Sequence, residues 1–466
     1  MQPLNTLFLK DDSLHQVHHH SGDDSRNFLV DTETGETVSS MTRANQIALE
    51  RMQKKEGRRG FTRRTLLSGA GVGVLSLSSL MLSESIHPRY AYADTPLGDG
   101  TVLVVIYLRG GADGLSLVTP YNDKYYTANR KTTRKTPSMS GAQVLNNTFM
   151  LAPEMKGLRE AWVAGDLSIV HSVGIDNNTR SHFTNYTQVD RSAPVQYKTG
   201  WLARLLDTTT DNQSQFRAFS HASRVAGAFY GADKDILAIN SFAEFKPATV
   251  MNDKDTINAT AQRIAKSVGG ALGTTAQQTL SAMGEVQKLA KSGYQPQNGA
   301  VYPKTGLGPS MKDVAQILKA NKGVQVVTVD QGDWDTHRGQ KDRVNVLAKE
   351  LGDSLGAFYK DMGSVRMQKV VVMTVSEFGR TTVENASQGT DHGAGNFSFI
   401  LSGKATGKIA GGTWAGLKNS QDKDNMISTD YRSVAAEVMK KGLGIDDARI
   451  AQIFPSYSPK PVGVLA

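Results

Sequence analysis

Four apolar runs punctuate this chain, and each gives way abruptly to a polar cluster. They are Thr101–Leu108, Leu167–Val173, Val324–Val329 and Val370–Val375. The first and last are continuous rather than alternating, which marks strands buried on both faces. Helical spacing lies between the runs. Pro153–Ala164 opens with a proline suited to a first turn; Met311–Asn321 and the long amphipathic Lys341–Asp361 follow. Phe397–Ser402 reads as a further strand and Ser433–Lys441 as a terminal helix. Strand and helix alternate, so the pattern predicts an α/β fold: a doubly wound, mostly parallel sheet with helices on both faces. Residues 200–309 break the rhythm. Asp255–Ser292 is helical and rich in Ala, Gln and Lys, and Gly293–Pro309 is a Gly/Pro/Asn-rich loop. This stretch is expected as a cap or helical insertion on the sheet domain.

Ligands of open α/β sheets bind just beyond the carboxyl ends of the strands. The polar cluster behind each run is therefore a candidate. After the first comes Arg109-Gly110-Gly111-Ala112-Asp113-Gly114. Its glycines let the backbone turn and approach a ligand; Asp113 is either a metal-binding carboxylate or the cap of a turn. After the second run stand Thr179, Arg180, Ser181 and His182. A hydroxyl here is either a nucleophile awaiting activation, with Arg180 holding an anionic oxygen, or an N-cap of the next helix. After the third run come Asp330, Asp333, Asp335 and His337. Asp and neutral His suit Zn, Mn or Fe. Asp333 and His337 share a face if a helix starts there, Asp335 and His337 if the loop is extended; acids capping a helix are the other reading. After the fourth run Glu377, Arg380, Asp391 and His392 fall within sixteen residues of one another.

Composition narrows the chemistry. With no cysteine among 466 residues there is no disulfide framework, thiolate metal site or Cys nucleophile. The formal charge of +9 is spread over the main body rather than gathered in an arm, and no nucleic-acid motif is visible. That charge is either a basic solvated surface or an attraction for an anionic partner.

The first 93 residues read as a leader. Residues 1–57 are polar, and His18, His19 and His20 are either a metal tract or part of an unstructured leader. Arg63-Arg64 precedes the uncharged run Leu66–Leu82, and Ala91-Tyr92-Ala93 fits a small-x-small cleavage site. Paired arginines before a mild, Gly/Ser-diluted run resemble a twin-arginine signal, which implies the twin-arginine export machinery as a partner and a periplasmic or extracellular destination. The lesser alternative is a membrane anchor through an uncleaved leader, although a span needs about 20 apolar residues. The body is then 94–466.

LRGGADGL, RSHF at Arg180–Phe183, DTH at Asp335–His337, SEFGR and GTDHG together resemble the bacterial domain-of-unknown-function 1501 family, over nearly the whole body. That family is similar in fold to the alkaline phosphatase superfamily, which includes sulfatases and phosphopentomutases. The resemblance implies an exported metal-dependent hydrolase of phosphate or sulfate esters, with a divalent metal (Zn, Mn or Ca) as one ion or two. It implies Asp113, Asp333 or Asp335, His337, Glu377, Asp391 and His392 as ligands, Ser181 or Thr179 as nucleophile, and Arg180 or Arg380 as anion clamp. The substrate would be an anionic small molecule or an envelope polymer. Phe378 stands where the related pattern has a metal-binding His, and Phe binds no metal. That departure implies an alternative: a degenerate relative serving as an exported binding or assembly protein.

Overall fold

A computed structural model describes residues 14–16, 28–31, 37–39, 100–209, 214–232, 236–243, 267, 270–417 and 426–466. The paired arginines, the apolar run behind them, the cleavage site and the three-histidine tract lie outside the described residues. Two compact units are present, one built mainly from residues 1–71 and one from nearly all the rest. In the first, Leu14–Gln16, Phe28–Asp31 and Thr37–Ser39 form a three-stranded antiparallel sheet.

The second unit is organised on a nine-stranded sheet. Its strands are β1 (Val102–Leu108), β2 (Leu167–Gly174), β3 (Ala218–His221), β4 (Leu237–Ala238), β5 (Val326–Gln331), β6 (Val370–Val375), β7 (Asn396–Leu401), β8 (Ile409–Ala410) and β9 (Thr429–Asp430). The spatial order is β4-β3-β5-β1-β6-β7-β2-β8, with β9 also on β2. Every pairing is parallel except the two made by β7, which is antiparallel to both neighbours. The mostly parallel, doubly wound α/β fold is therefore observed. Residues 200–309 supply two strands, β3 and β4, to this sheet.

Helices cover both faces. They include α1 (His182–Arg191), α2 (Trp201–Asp207), α3 (Gly270–Lys291), α4 (Leu307–Lys319), α5 (Gln340–Met367) and α6 (Tyr431–Glu437). Alternate residues of β1 go to different cores. Val102, Val104, Ile106 and Leu108 pack with Met311 and Val314 of α4 and with Leu351, Leu355 and Phe358 of α5. Leu103, Val105 and Tyr107 pack with Trp201 and Leu205 of α2 and Val434 of α6. That two-sided burial is why the run is continuous: a polar residue at either parity would enter a core. Each large aliphatic or Phe side chain removed from water contributes about 1.5–3 kcal/mol. Among the described residues, no helix is long and apolar enough to cross a membrane.

Candidate metal centre

The parallel sheet gathers the polar clusters at one edge. β1, β2, β5 and β6 end there, and because β7 runs the other way, the segment that precedes it arrives at the same edge. Two glycines after β1 permit the close approach. A Cβ on Gly110 would sit 2.5 Å from the Asp335 backbone nitrogen, and one on Gly111, whose φ is +68°, would sit 2.4 Å from the Phe378 ring.

Asp335 is the centre of the cluster. His337 Nε2 lies 2.9 Å from its Oδ1, His392 Nε2 lies 3.3 Å from the same oxygen, and His182 Nε2 is 3.5 Å from Oδ2. The Nε2 atoms of His337 and His392 are 3.0 Å apart. Ligand atoms of His182, Asp335 and His392 all fall within 4.8 Å of one another.

The opposite nitrogen of each ring is held by oxygen. His182 Nδ1 is 2.8 Å from Glu377 Oε1, His392 Nδ1 is 2.7 Å from the Arg180 carbonyl, and His337 Nδ1 is 3.2 Å from Asp391 Oδ1. A carbonyl and a carboxylate only accept, so Nδ1 of His182 and His392 carries the proton. In the neutral rings Nε2 then bears a lone pair aimed at the cluster. Lone pairs and a carboxylate turned toward one another need a cation or added protons between them. His182 Nε2 is buried and has no hydrogen-bond partner. The donor set and this orphaned atom fit a divalent metal: imidazoles oriented by a second oxygen, around one carboxylate.

Electrostatics agree with the geometry. Burial lowers the His182 pKa, but the carboxylates of Asp335 and Glu377 beside the ring outweigh that and push it up to about 9. The bond to Asp335 holds His337 above the usual range as well. Burial raises the Asp335 carboxyl, and the three imidazoles with Arg380 carry it well below the carboxylate range.

The residues expected from sequence divide into groups. Asp335, His337 and His392 meet in the cluster. Glu377 and Asp391 stand behind it, each orienting an imidazole; Glu377 also accepts the Gly110 N–H at 2.8 Å. Asp333 is exposed and pairs with Arg343 at 3.0 Å, away from the ligand atoms. Asp113 is buried and faces Arg130, not the imidazoles. Arg380 is fully buried and directs its donors to the carbonyls of Gly110, Gly111, Trp334 and Thr390 and to Asp335. It therefore braces the loops around Asp335 rather than presenting a free fork to a substrate anion. Thr179 Oγ1 donates to Asn185 Oδ1 at 2.9 Å. Ser181 occupies the N-cap position of α1, yet its side chain makes no capping hydrogen bond. Arg180, at a φ of +58°, brings its carbonyl to His392. Phe378 is buried, its ring 4.9 Å from that of His182 and 4.8 Å from that of His392, and it walls the cluster with apolar surface.

His182 is the residue the ligand assignment missed. It lies inside the RSHF motif, but beside two hydroxyls and an Arg it reads as loop or helix start; only the β2-to-α1 turn brings its ring to Asp335.

Residues 161–453 match the profile of a family described as "Protein of unknown function (DUF1501)". The chain belongs to that family. No curated protein matches this DUF1501 chain. Among solved structures it is similar to the C-terminal periplasmic domain of EcEptC from Escherichia coli, at 9% identity over 79% of this chain and 92% of that one, with a TM-score of 0.32. It is also similar to the lipoteichoic acid synthase LtaP from Listeria monocytogenes, at 10% identity, 80% and 78% coverage and a TM-score of 0.30. The PsFucS1 sulfatase from Pseudoalteromonas sp. gives 10%, 84% and 73%, and 0.28. The overlaps are loose.

Proposed function

We propose that this chain is a metal-dependent hydrolase of phosphate or sulfate esters, exported by the twin-arginine route with residues 1–93 as its leader. One observation carries the reading. Three imidazoles, each oriented through Nδ1 by an oxygen acceptor, converge by Nε2 on a single carboxylate at the carboxyl edge of a parallel sheet. A bound divalent cation supplies stabilisation of negative charge developing on a phosphoryl or sulfuryl oxygen.

The residues divide that work. His182, Asp335 and His392, with His337 beside them, hold the ion. Glu377, Asp391 and the Arg180 carbonyl fix the ring orientations, and Arg380 holds Asp335 against the loops after β1 and β5. Phe378 keeps water from one flank, which strengthens every electrostatic interaction inside. We assign the nucleophilic hydroxyl to Ser181, which precedes a ligand and caps nothing; the Thr179 hydroxyl is already engaged with Asn185. Arg180 is the remaining candidate for an anionic oxygen. The net charge of +9 favours an anionic substrate, either a small ester or an envelope polymer.

The test is hydrolysis of p-nitrophenyl phosphate and p-nitrophenyl sulfate by the full chain loaded with Zn, Mn or Ca, beside His182→Ala and His392→Ala. Hydrolysis that requires metal and is lost in both variants supports the reading. Bound metal without hydrolysis of any phosphate or sulfate ester would instead favour an exported binding protein. Phe378 and the engaged donors of Arg380 point toward that second reading.

A further inference from the structure

Four carboxylates gather at this edge: Asp113, Asp335, Glu377 and Asp391. Two buried guanidinium groups already answer two of them. Arg130 grips Asp113 with both terminal nitrogens, at 2.5 Å and 2.9 Å, in a pair whose side chains are 0% and 1% exposed. Arg380 binds Asp335 Oδ1 from a fully buried position.

Asp113 is already held by four hydrogen-bond donors, three of them on Oδ2. Ser116 Oγ donates to its Oδ2 at 2.6 Å and Gln340 Nε2 donates to the same oxygen at 2.5 Å, beside the two bonds from Arg130. Arg130 is equally engaged, donating to the carbonyls of Thr381 and Thr382 at 2.8 Å each. Any ion brought to Asp113 would have to displace a fixed cation from a dry site and leave that cation unpaired.

We infer that the centre is mononuclear. One divalent ion sits among His182, Asp335 and His392, and the guanidinium of Arg130 stands as the permanent counter-charge of Asp113. This rests on the metal-centre reading above. Charge arithmetic supports it. With Asp113 and Asp335 each matched by an arginine, Glu377 and Asp391 leave two formal negative charges, which one divalent cation balances. A second ion would add two uncompensated positive charges beside two guanidinium groups, which repel them. Phe378 acts in the same direction, because its ring takes wall space beside both His182 and His392 and offers no donor atom.

Asp113 then has a different task. Its partner Gln340 is fully buried at the start of α5, and Gln340 Oε1 accepts from Thr336 Oγ1 at 3.2 Å and Thr390 Oγ1 at 2.5 Å. Thr336 immediately precedes His337, and Thr390 stands two residues before His392. The Arg130–Asp113–Gln340 chain thus ties together the two loops whose imidazoles approach to 3.0 Å.

The experiment is metal stoichiometry on the full chain, with His18→Ala, His19→Ala and His20→Ala in the background so that the leader adds no imidazole cluster. The protein is equilibrated with excess zinc, freed of unbound ion by gel filtration, and assayed for zinc by elemental analysis. One ion per chain is expected. Two ions per chain overturn the inference while leaving the hydrolase reading intact. No ion overturns both.

Discussion

Metal binding at this centre must compete with a proton, and the competition has a size. His182 Nε2 points into the cluster, and the ring's pKa is pushed up to about 9 by Asp335 and Glu377, against the lowering effect of burial. Near pH 7 the metal-free ring is therefore protonated, and an ion that takes Nε2 must expel that proton. Each pH unit below 9 weakens apparent affinity about tenfold, so the interval from about pH 7 to about pH 9 is worth roughly 100-fold, or about 2.7 kcal/mol. His337, held above its usual range by Asp335, adds to the slope in the same direction. The sign reverses for stability without metal. The folded pKa lies above the ordinary 6.5, so protonated His182 stabilises the apo fold fully below 6.5, and that contribution fades as pH rises through about 9. Zinc titration against a competing chelator of known pH dependence, at three pH values across the interval, reads the affinity slope. Calorimetry in buffers of different ionisation enthalpy counts protons released. An affinity that stays flat across the interval, with no proton released, would refute the reasoning, because the Nε2 lone pair would then not be the site of attachment.

Other consequences follow from the same geometry. Glu377→Gln keeps the shape of the residue behind His182 but removes its charge; zinc affinity should fall about 10–100-fold, the usual effect of an altered partner behind a ligand, with unfolding by urea little changed. Asp113→Ala leaves the guanidinium of Arg130 buried without its partner, which should destabilise the fold by about 3–5 kcal/mol, seen as a lower urea midpoint at constant slope; an unchanged midpoint would mean that water reaches Arg130. Arg380→Lys should weaken zinc binding, because one ammonium cannot serve four carbonyls and Asp335 at once; an affinity equal to that of the parent would remove Arg380 from the support of Asp335.

The order of elements was legible because burial writes itself into composition. β1 and β6 lie under helices on both sides, so their sequences admit almost nothing polar, and the runs Thr101–Leu108 and Val370–Val375 announce this without coordinates. Polar clusters behind such runs had to meet at one edge, since parallel strands end on the same side. Asp335, His337 and His392 were accessible to that logic. Their neighbours were not, because a side chain's role depends on which way it points and on what the other loops bring to it. Asp113 and Asp335 are both acids after buried strands; Arg130, seventeen positions along the chain from Asp113 and invisible as a partner in sequence, takes one and leaves the other at the cluster. Arg380 could equally have faced a substrate, but the glycine-lined turn after β1 presses backbone carbonyls onto its guanidinium. His182 and Ser181 are adjacent in sequence, and the turn from β2 into α1 alone decides that the imidazole reaches Asp335. Local pattern determined the sheet and the edge. The pairing of charges across segments hundreds of residues apart determined which groups at that edge remain to bind an ion, because desolvated charges are matched by whatever the fold brings within hydrogen-bond reach, and chain distance has no part in that choice.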